Sequence, residues 1–271
     1  LYRYLLDGRV LAAGMNPFAL PPSDPAIAAI APELAAAVNH PDVPTIYPPV
    51  VQGFGWLAAA GGLGVIGWRV LMSLIDVAVM FAVARLFGGG TSGWRAAAVY
   101  GLCPLAVWEA GANGHLEPMV ALPLVLAVRW MERGAPLRAG VALALAALVK
   151  YYALMLLPLW LVHRGFERLA VVTLVLFALA LWPFTWGGVD VFAGLKTYLV
   201  HWSFNSPVYA ALDGVGVPDL VLRALPFVVV GLGALVAGWR GEDVVRTIPM
   251  LLFAFLVIGP TLHPWYALWL L

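Results

Sequence analysis

Charge is scarce in this sequence of 271 residues. Charged residues make up only 11% of it, less than half of the roughly 25% that is typical of soluble domains. Fifteen basic side chains stand against 14 acidic ones, so the chain has no positive excess for binding a nucleic-acid backbone. These shortages exclude a soluble globular enzyme, a disordered tail and a protein that binds nucleic acid through a basic face.

Cysteine is also almost absent. Cys103 is the only one, which excludes a disulfide within the chain and a metal site built from cysteines. The sequence contains no zinc-ligand spacing and no Ser-His-Asp arrangement. Its run of three glycines at residues 88–90 lacks the Gly-Lys-Ser/Thr ending of a phosphate-binding loop. We therefore expect no metal site.

Apolar residues, in contrast, are abundant. They make up 63% of the chain, and the mean hydropathy is +0.93. A chain with so little polar surface needs lipid as its solvent. We predict an all-α, polytopic transmembrane helix bundle of about nine spans, the last of them cut short: Val65–Phe87, Trp94–Trp108, Leu116–Trp130, Leu137–Val149, Tyr152–Val162, Leu169–Trp182, Leu220–Gly238, Ile248–Ile258 and a segment from Pro264.

Residues 1–64 differ from the bundle at 65–271 and are predicted to form an external loop with interfacial helices. The first 49 residues contain nine of the 21 prolines, which prevent a long helix there, so we predict a solvated or interfacial loop. The apolar segment Val50–Ala60 is too short for a span and is typical of an interfacial or re-entrant helix. The sequence starts at Leu1, ends inside an apolar run and shows no signal peptide, so we expect a piece of a longer membrane protein.

The distribution of positive charge predicts which side of the membrane each loop faces. If the proline-rich segment is outside, nine arginines lie inside and six basic residues lie outside. One continuous helix from Leu137 to Val162 would remove this bias, with seven inside and eight outside. We therefore predict a break between two helices at Lys150-Tyr151-Tyr152.

Uncommon polar residues gather near the outer ends of the predicted spans. An ionisable side chain at the membrane centre costs ~2.5–3.5 kcal/mol, so their concentration at one level indicates a polar cavity that opens outward. The members of this group are Asp7, Arg9, His40, Tyr47, Glu109, Asn113, His115, Glu117, Lys150, Tyr151, Tyr152, His201 and His263.

Two motifs in this group have both a chemical and a structural interpretation. Glu109 and the string from Asn113 to Pro118 combine a carboxylate, an amide and an imidazole that could hold a substrate hydroxyl and accept its proton. The same string could instead be a capped, solvated turn. Lys150 is placed to meet a lipid phosphate, or else to reach the membrane surface as an isolated cation.

Two further polar residues interrupt apolar segments. His263 lies between prolines and aromatic residues, a pattern typical of a kink with interface anchors. Asp76 falls near the middle of a predicted span, where it could pair with a buried cation such as Arg69 or relay protons.

Several strings occur in the order found in a known family. They resemble motifs of bacterial GT-C-type integral-membrane glycosyltransferases, and they are closest to the mannosyltransferase-like, family-87-like branch. The resemblance covers essentially the whole chain, and its N-terminal strings are the most specific. The strings are Tyr2–Val10, Asn16–Phe18, Asn39–Pro41, Thr45–Pro49, Gly114–Pro118, Lys150–Tyr152 and His263–Tyr266.

The resemblance implies an inverting transferase that needs neither a metal nor another cofactor. Its donor would be a polyprenyl-phosphate-linked sugar, with mannose as the sugar of this branch, and its acceptor a glycan, a lipid or a protein. The protein would lie in the bilayer of the plasma or inner membrane, with its active face periplasmic or extracellular. This side agrees with the charge distribution.

The resemblance also implies roles for individual residues. In this superfamily the first external loop supplies an essential carboxylate, usually in an acidic pair just before the Tyr-Arg-Tyr string, so we expect the general base to precede Leu1. Among the residues present, the catalytic candidates are Glu117, Asp7 and His115, with Glu117 and His115 on the acceptor or sugar side. The substrate-binding candidates are Lys150, Arg9 and His263 at the phosphate, together with Tyr151, Tyr47, Asn113 and His40.

Two other classes of protein would share some of these features. A multi-pass transporter or lipid flippase also has many spans and a polar cavity, but such transporters often show pseudo-symmetric halves, which this sequence lacks. A non-catalytic membrane scaffold would not need the polar groups around Glu117 and Lys150. Only the transferase predicts sugar-dependent release of a lipid phosphate.

Overall fold

The structure, a computed structural model, describes residues 1–270, and helices dominate it. No strand forms within these residues, and the isolated bridge between Phe204 and Thr261 only ties two connections together. The prediction of an all-α helical bundle is confirmed.

The helices follow one another closely along the chain. The α-helices are α1 (Tyr2–Ala12), α2 (Pro25–Ala28), α3 (Pro32–Ala37), α4 (Pro49–Ala60), α5 (Val65–Leu86), α6 (Thr91–Gly101), α7 (Pro104–Val107), α8 (Glu117–Glu132), α9 (Pro136–Ala147), α10 (Phe166–Leu181), α11 (Ala193–His201), α12 (Pro207–Gly214), α13 (Asp219–Arg240) and α14 (Val244–Ile258). A π-helix covers Trp108–Ala112, and 3-10 helices cover Tyr151–Trp160, Trp182–Gly188 and Pro264–Leu270.

The N-terminal segment is built from short helices. Helix α1 begins at Tyr2, and its residues from Tyr4 to Gly8 are buried, as is Val10. The external position of residues 1–64 stays a prediction. Helix α1 crosses α4 so closely that a Cβ atom added to Gly8 would lie 2.1 Å from the carbonyl oxygen of Gly55. Proline starts α2, α3 and α4, where its missing N–H costs nothing. The prolines therefore divide this segment into short helices without preventing helix formation.

Three helical segments are long and apolar enough to cross a membrane. They are Val65–Leu86, Phe166–Gly188 and Asp219–Arg240. Shorter apolar helices at Pro136–Ala147, Tyr151–Trp160 and Val244–Ile258 coincide with three more of the predicted spans. The total of about nine crossings stays a prediction.

One predicted span is interrupted. The sequence predicted a continuous helix over Trp94–Trp108, but α6 ends at Gly101 and α7 begins at Pro104. A proline disfavours helical backbone in the residue before it, so Cys103 is extended and the helix cannot continue. The chain then enters the π-helix.

The predicted break at Lys150 is confirmed. Helix α9 ends at Ala147, and Lys150 itself is extended, with φ −144° and ψ 123°. The 3-10 helix that follows is unusually long for its type and packs along α13. There Gly238 allows the closest approach, since a Cβ at that position would lie 1.9 Å from the carbonyl oxygen of Pro158. The break places Lys150 at a bend between two helices.

Helix α8 packs against both α5 and α9. Its first turn contains Glu117 and its last turn contains Arg129. With a rise of 1.5 Å per residue, these two residues are about 18 Å apart along the helix axis. Two differently charged environments therefore lie at opposite ends of one helix.

Candidate active site

Glu117 and Lys150 form an ion pair where α8 begins. The ammonium of Lys150 donates to Oε1 of Glu117, and the two side chains are only 18% and 3% exposed. The other carboxylate oxygen, Oε2, is buried and has no hydrogen-bond partner within residues 1–270. The pair therefore presents a cation and an unused carboxylate oxygen at one place.

Aromatic rings surround Lys150. Its ammonium lies 5.1 Å from the ring centroid of Tyr266 and 5.4 Å from that of Trp269, within the range of cation–π attraction. The ring of Tyr152 stacks on Trp269 with 4.0 Å between centroids. The last 3-10 helix thus brings its aromatic residues onto a lysine more than a hundred positions earlier in the sequence.

Glu109 and His115 form a second pair, beside the first. Glu109 lies in the π-helix, a wide turn that is frequent at functional sites. Its Oε2 is 2.7 Å from Nδ1 of His115 and accepts a hydrogen bond from Nδ2 of Asn113 at 2.8 Å. Burial lowers the pKa of His115 to about 4, so at pH 7 the imidazole is neutral and donates its Nδ1–H to Glu109. Nε2 is then left as a proton acceptor.

Stacked rings connect the two pairs. His263 stacks on Trp265 with 4.4 Å between centroids, and His115 packs against Trp265 at 4.1 Å. Burial, followed by the positive charge of Lys150, lowers the pKa of His263, so this imidazole is also neutral at pH 7. We name the combined group the polar cluster; its members are Glu109, Asn113, His115, Glu117, Lys150 and His263.

Asp7 belongs to a separate buried group between α1 and α4. Nε of Arg3 donates to Oδ1 of Asp7 at 2.8 Å, and the hydroxyl of Thr45 donates to Oδ2 at 2.5 Å. Nε2 of Gln52 donates to the carbonyl oxygen of Tyr47 at 3.0 Å and lies 3.4 Å from Asp7. Both carboxylate oxygens are therefore engaged in holding the loop around Thr45. The catalytic role of Asp7 stays a prediction.

Tyr47 links the Asp7 group to the polar cluster. Its ring meets that of Tyr4 edge-on, with 4.7 Å between centroids. Burial raises the pKa of Tyr47 to about 12, and the negative charges of Asp7 and Glu117 contribute in the same direction. The phenol therefore stays protonated and lies close enough to both carboxylates to respond to their charge.

Besides Asp7 and Tyr47, three more predicted site residues lie outside the polar cluster. Arg9 is exposed and makes no side-chain hydrogen bond or ion pair with any described residue. The ring of Tyr151 packs against Phe177, with 6.0 Å between centroids, while its neighbour Tyr152 turns toward the cluster. His40 is exposed, has a φ of 57° and packs on Trp202. Membership of a sequence motif therefore does not bring a side chain to the polar cluster: Tyr151 and Tyr152 are neighbours, but only Tyr152 faces it.

Asp76 pairs with a different partner from the one suggested by the sequence. Its Oδ1 accepts a hydrogen bond from the hydroxyl of Tyr100 at 2.5 Å, so the pair with Arg69, one of the two possibilities left open by the sequence, does not form. Nε of Arg69 is instead buried without a partner in residues 1–270. Asp76 and Tyr100 join α5 to α6.

The residues that hold the polar cluster in place were missed from the sequence. Trp68 is fully buried, and its indole N–H donates to the carbonyl oxygen of Gly114 at 2.9 Å. Gly114 has a φ of +64°, which the Asn-Gly turn signal does predict. Gln52, which holds the Asp7 group, carried a weaker signal, as the one polar side chain in an apolar helix. Nothing in the pattern marked Trp265 and Trp269 as neighbours of His115 and Lys150.

An apolar cavity of about 140 Å³ adjoins the polar cluster. Glu117, Tyr152 and Trp269 line one part of it, and its walls follow α8 as far as Val128 and α5 as far as Leu86. The cavity therefore leads from the ion pair into the apolar interior of the bundle. No group of three or more His, Cys, Asp or Glu side chains among residues 1–270 could hold a metal ion.

Comparison with known proteins shows similarity at the level of a family. No curated protein and no solved structure matches the chain. The family model of glycosyltransferase family 87 matches residues 46–264, most of the sequence, and this range contains the whole polar cluster. The match favours a transferase over the transporter and scaffold alternatives. The chain belongs to glycosyltransferase family 87.

Proposed function

We propose that this membrane glycosyltransferase moves mannose, with inversion, from a polyprenyl-phosphate donor to a hydroxyl group of a glycan, lipid or protein. The reaction would take place on the periplasmic or extracellular face of the plasma or inner membrane. One observation supports this donor above all: the buried pair of Lys150 and Glu117 adjoins an apolar cavity. A polyprenyl phosphate is an anion joined to an apolar chain, and both parts have a matching surface here.

Lys150 is the residue we assign to the donor phosphate. A charge-assisted hydrogen bond from its ammonium stabilises the negative charge that remains on the phosphate when the sugar leaves. Glu117 fixes the direction of the Lys150 ammonium, while the rings of Tyr266 and Trp269 limit its movement. His263, neutral and stacked on Trp265, is the second phosphate contact in this proposal.

The proposed step is a displacement at the anomeric carbon. The acceptor oxygen attacks this carbon from the side opposite the phosphate, the bond between carbon and phosphate oxygen breaks, and polyprenyl phosphate leaves with the bonding electrons. The proton of the acceptor hydroxyl must pass to a base. Among the described residues, the polar cluster offers two acceptors for it: Oε2 of Glu117 and Nε2 of His115.

Glu109 supports this chemistry without touching the substrate. It holds the Nδ1–H tautomer of His115, and Asn113 in turn holds Glu109. This arrangement keeps Nε2 of His115 available for a proton from the acceptor. The identity of the sugar rests on the resemblance to the mannosyltransferase-like branch.

The test is transfer by the purified protein in lipid nanodiscs. Two labelled donors are compared, polyprenyl-phosphate mannose and a nucleotide-linked mannose, each with extracted membrane glycans and lipids as acceptors. We expect release of polyprenyl phosphate together with a labelled product from the first donor only. Label transferred only from the nucleotide donor would contradict the proposed donor. Transfer of a different polyprenyl-linked sugar in place of mannose would contradict the sugar alone.

A further inference from the structure

A groove on the surface between α5 and α8 lies far from the polar cluster. It has a volume of about 290 Å³, and its walls are formed by Ala78, Phe81, Leu122 and Leu126. Arg85 and Arg129, each in the last turn of its helix, close one end of it. No acidic side chain lines this groove, so an apolar channel ends at two positive charges.

The two arginines lack partners among residues 1–270. Neither forms an ion pair or a side-chain hydrogen bond with any described residue, and Nη1 of Arg129 is fully buried without an acceptor. Arg133, one turn further along, adds a third positive charge nearby. A position at a helix C-terminus is favourable for a cation, but it does not satisfy a buried N–H group. An oxygen-bearing ligand would satisfy it.

The groove opens on a surface suited to lipid. Phe81 on its wall is 48% exposed, and Leu74 and Val77 on the same helix are similarly exposed. Trp94 packs edge-on against Phe81, with 5.6 Å between centroids, and is itself half exposed, as tryptophans at the membrane boundary are. The arginines therefore lie at the end of a membrane-facing apolar surface, where lipid headgroups would be.

We propose that this groove binds one anionic diacyl phospholipid, with its phosphate between Arg85 and Arg129 and an acyl chain along Phe81, Leu122 and Leu126. Planar guanidinium groups bind phosphate oxygens in a bidentate manner, and the apolar walls match a hydrocarbon chain. The charge distribution of the sequence puts this end of α5 and α8 on the inner side, where basic pockets between spanning helices bind anionic lipids. The site is independent of the proposed transfer reaction.

Native mass spectrometry of the protein released from nanodiscs tests this proposal. Phosphatidylglycerol and phosphatidylcholine with identical chains are supplied in equal amounts. We expect one phosphatidylglycerol to be retained, and retention to fall at least tenfold when Arg85→Gln and Arg129→Gln are combined. Arg240→Gln is the matched control, because Arg240 is an exposed, unpaired arginine at the end of another helix. Equal retention of both lipids, or an equal loss in the control, would overturn the site.

A second variant tests the apolar part of the site without changing charge. Ala78→Phe fills the groove beside the arginines, and we expect it to lower phosphatidylglycerol retention severalfold while the melting temperature stays unchanged. Unaltered retention in Ala78→Phe would show that the acyl chain does not lie in the groove. Competition by inorganic phosphate at millimolar concentration would overturn a lipid as the ligand, because it would show that the arginines take a free anion.

Discussion

The chain has two lysines, and the structure pairs both with carboxylates in opposite surroundings. Lys150 is 18% exposed and Glu117 3%, beneath aromatic rings and beside an apolar cavity. Lys196, in the first turn of α11, is 66% exposed, and its partner Asp190, just before that helix, is 49% exposed; the two lie 2.7 Å apart on the surface. The chemical groups are alike, so any difference in their importance comes from the environment.

The comparison teaches what burial does to an ion pair. Water already solvates the separate ions of an exposed pair, so the pair adds little stability. In a buried pair the cost of removing both ions from water offsets most of their attraction, and removing one partner leaves the other without compensation. A protein therefore gains little stability from keeping such a pair, which favours a chemical role for Lys150 and Glu117. Four predictions test the contrast.

The largest expected effect is on transfer itself. Lys150→Ala should lower the rate of sugar transfer about 100- to 1,000-fold, the usual cost of removing one preorganised group that stabilises developing negative charge. The rate is measured with labelled polyprenyl-phosphate mannose in nanodiscs. Lys196→Ala is the matched control and should transfer sugar at the normal rate. A normal rate in Lys150→Ala would remove the phosphate role from this lysine.

The next effect concerns stability. Lys150→Met and Glu117→Gln should each lower the free energy of unfolding by about 3 kcal/mol, because each leaves a buried group without its partner. The double variant should recover much of this loss, which gives a coupling energy in a double-mutant cycle. The free energy of unfolding is measured by thermal unfolding in detergent for the wild type, the two single variants and the double variant. Additive losses in the double variant would show that the two side chains do not depend on each other.

A smaller effect is expected from acid. The pKa of His115 is lowered by burial to about 4 in the folded protein, whereas an unfolded histidine titrates near 6.5. The unfolded chain therefore binds a proton that the folded chain does not, and stability should fall by about 1–3 kcal/mol as the pH drops from 6.5 to 4. The charged or titratable groups around this imidazole include Glu109, Glu117, Lys150 and His263.

His115→Gln isolates the contribution of this residue to the acid response. The difference in stability between the wild-type protein and this variant should change across pH 4 to 6.5 and be constant above pH 7. A constant difference over the whole range would mean that His115 does not titrate there. An inverted slope, with the wild type gaining stability in acid, would mean that Glu109 raises the histidine pKa more than burial lowers it.

The sequence predicted the helical class, the break at Lys150 and the membership of most of the polar cluster, because each has a local signal. Scarce charge is easily seen in an apolar chain, and a lysine inside an apolar run must lie at a boundary or have a partner. The Asn-Gly turn before His115 is equally local, since only glycine adopts the left-handed backbone easily. These features depend on composition and on neighbouring residues.

Contacts between distant parts of the chain were not predictable in this way. The pairing of Lys150 with Glu117 depends on where α8 and α9 meet, and no periodicity encodes it. Asp7 fell in a predicted loop as a catalytic candidate, yet Thr45 and Gln52 engage it from later positions. Asp76 likewise accepts a hydrogen bond from Tyr100, and nothing in the sequence around Tyr100 indicated that partner. These pairings depend on how distant segments of the chain pack together.

The smallest effect is expected at the exposed pair, and it completes the comparison. Lys196→Ala removes only the ion pair, since Asp190 also accepts a hydrogen bond from the backbone N–H of Phe192 at 3.0 Å and keeps it. The melting temperature should therefore change by less than about 2 °C, and added salt should reduce even that difference because exposed charges are screened. A drop as large as that of Lys150→Met would show that exposure does not determine the strength of these pairs. It would also remove the reason for treating the buried lysine as functional, because burial is the property that separates the two.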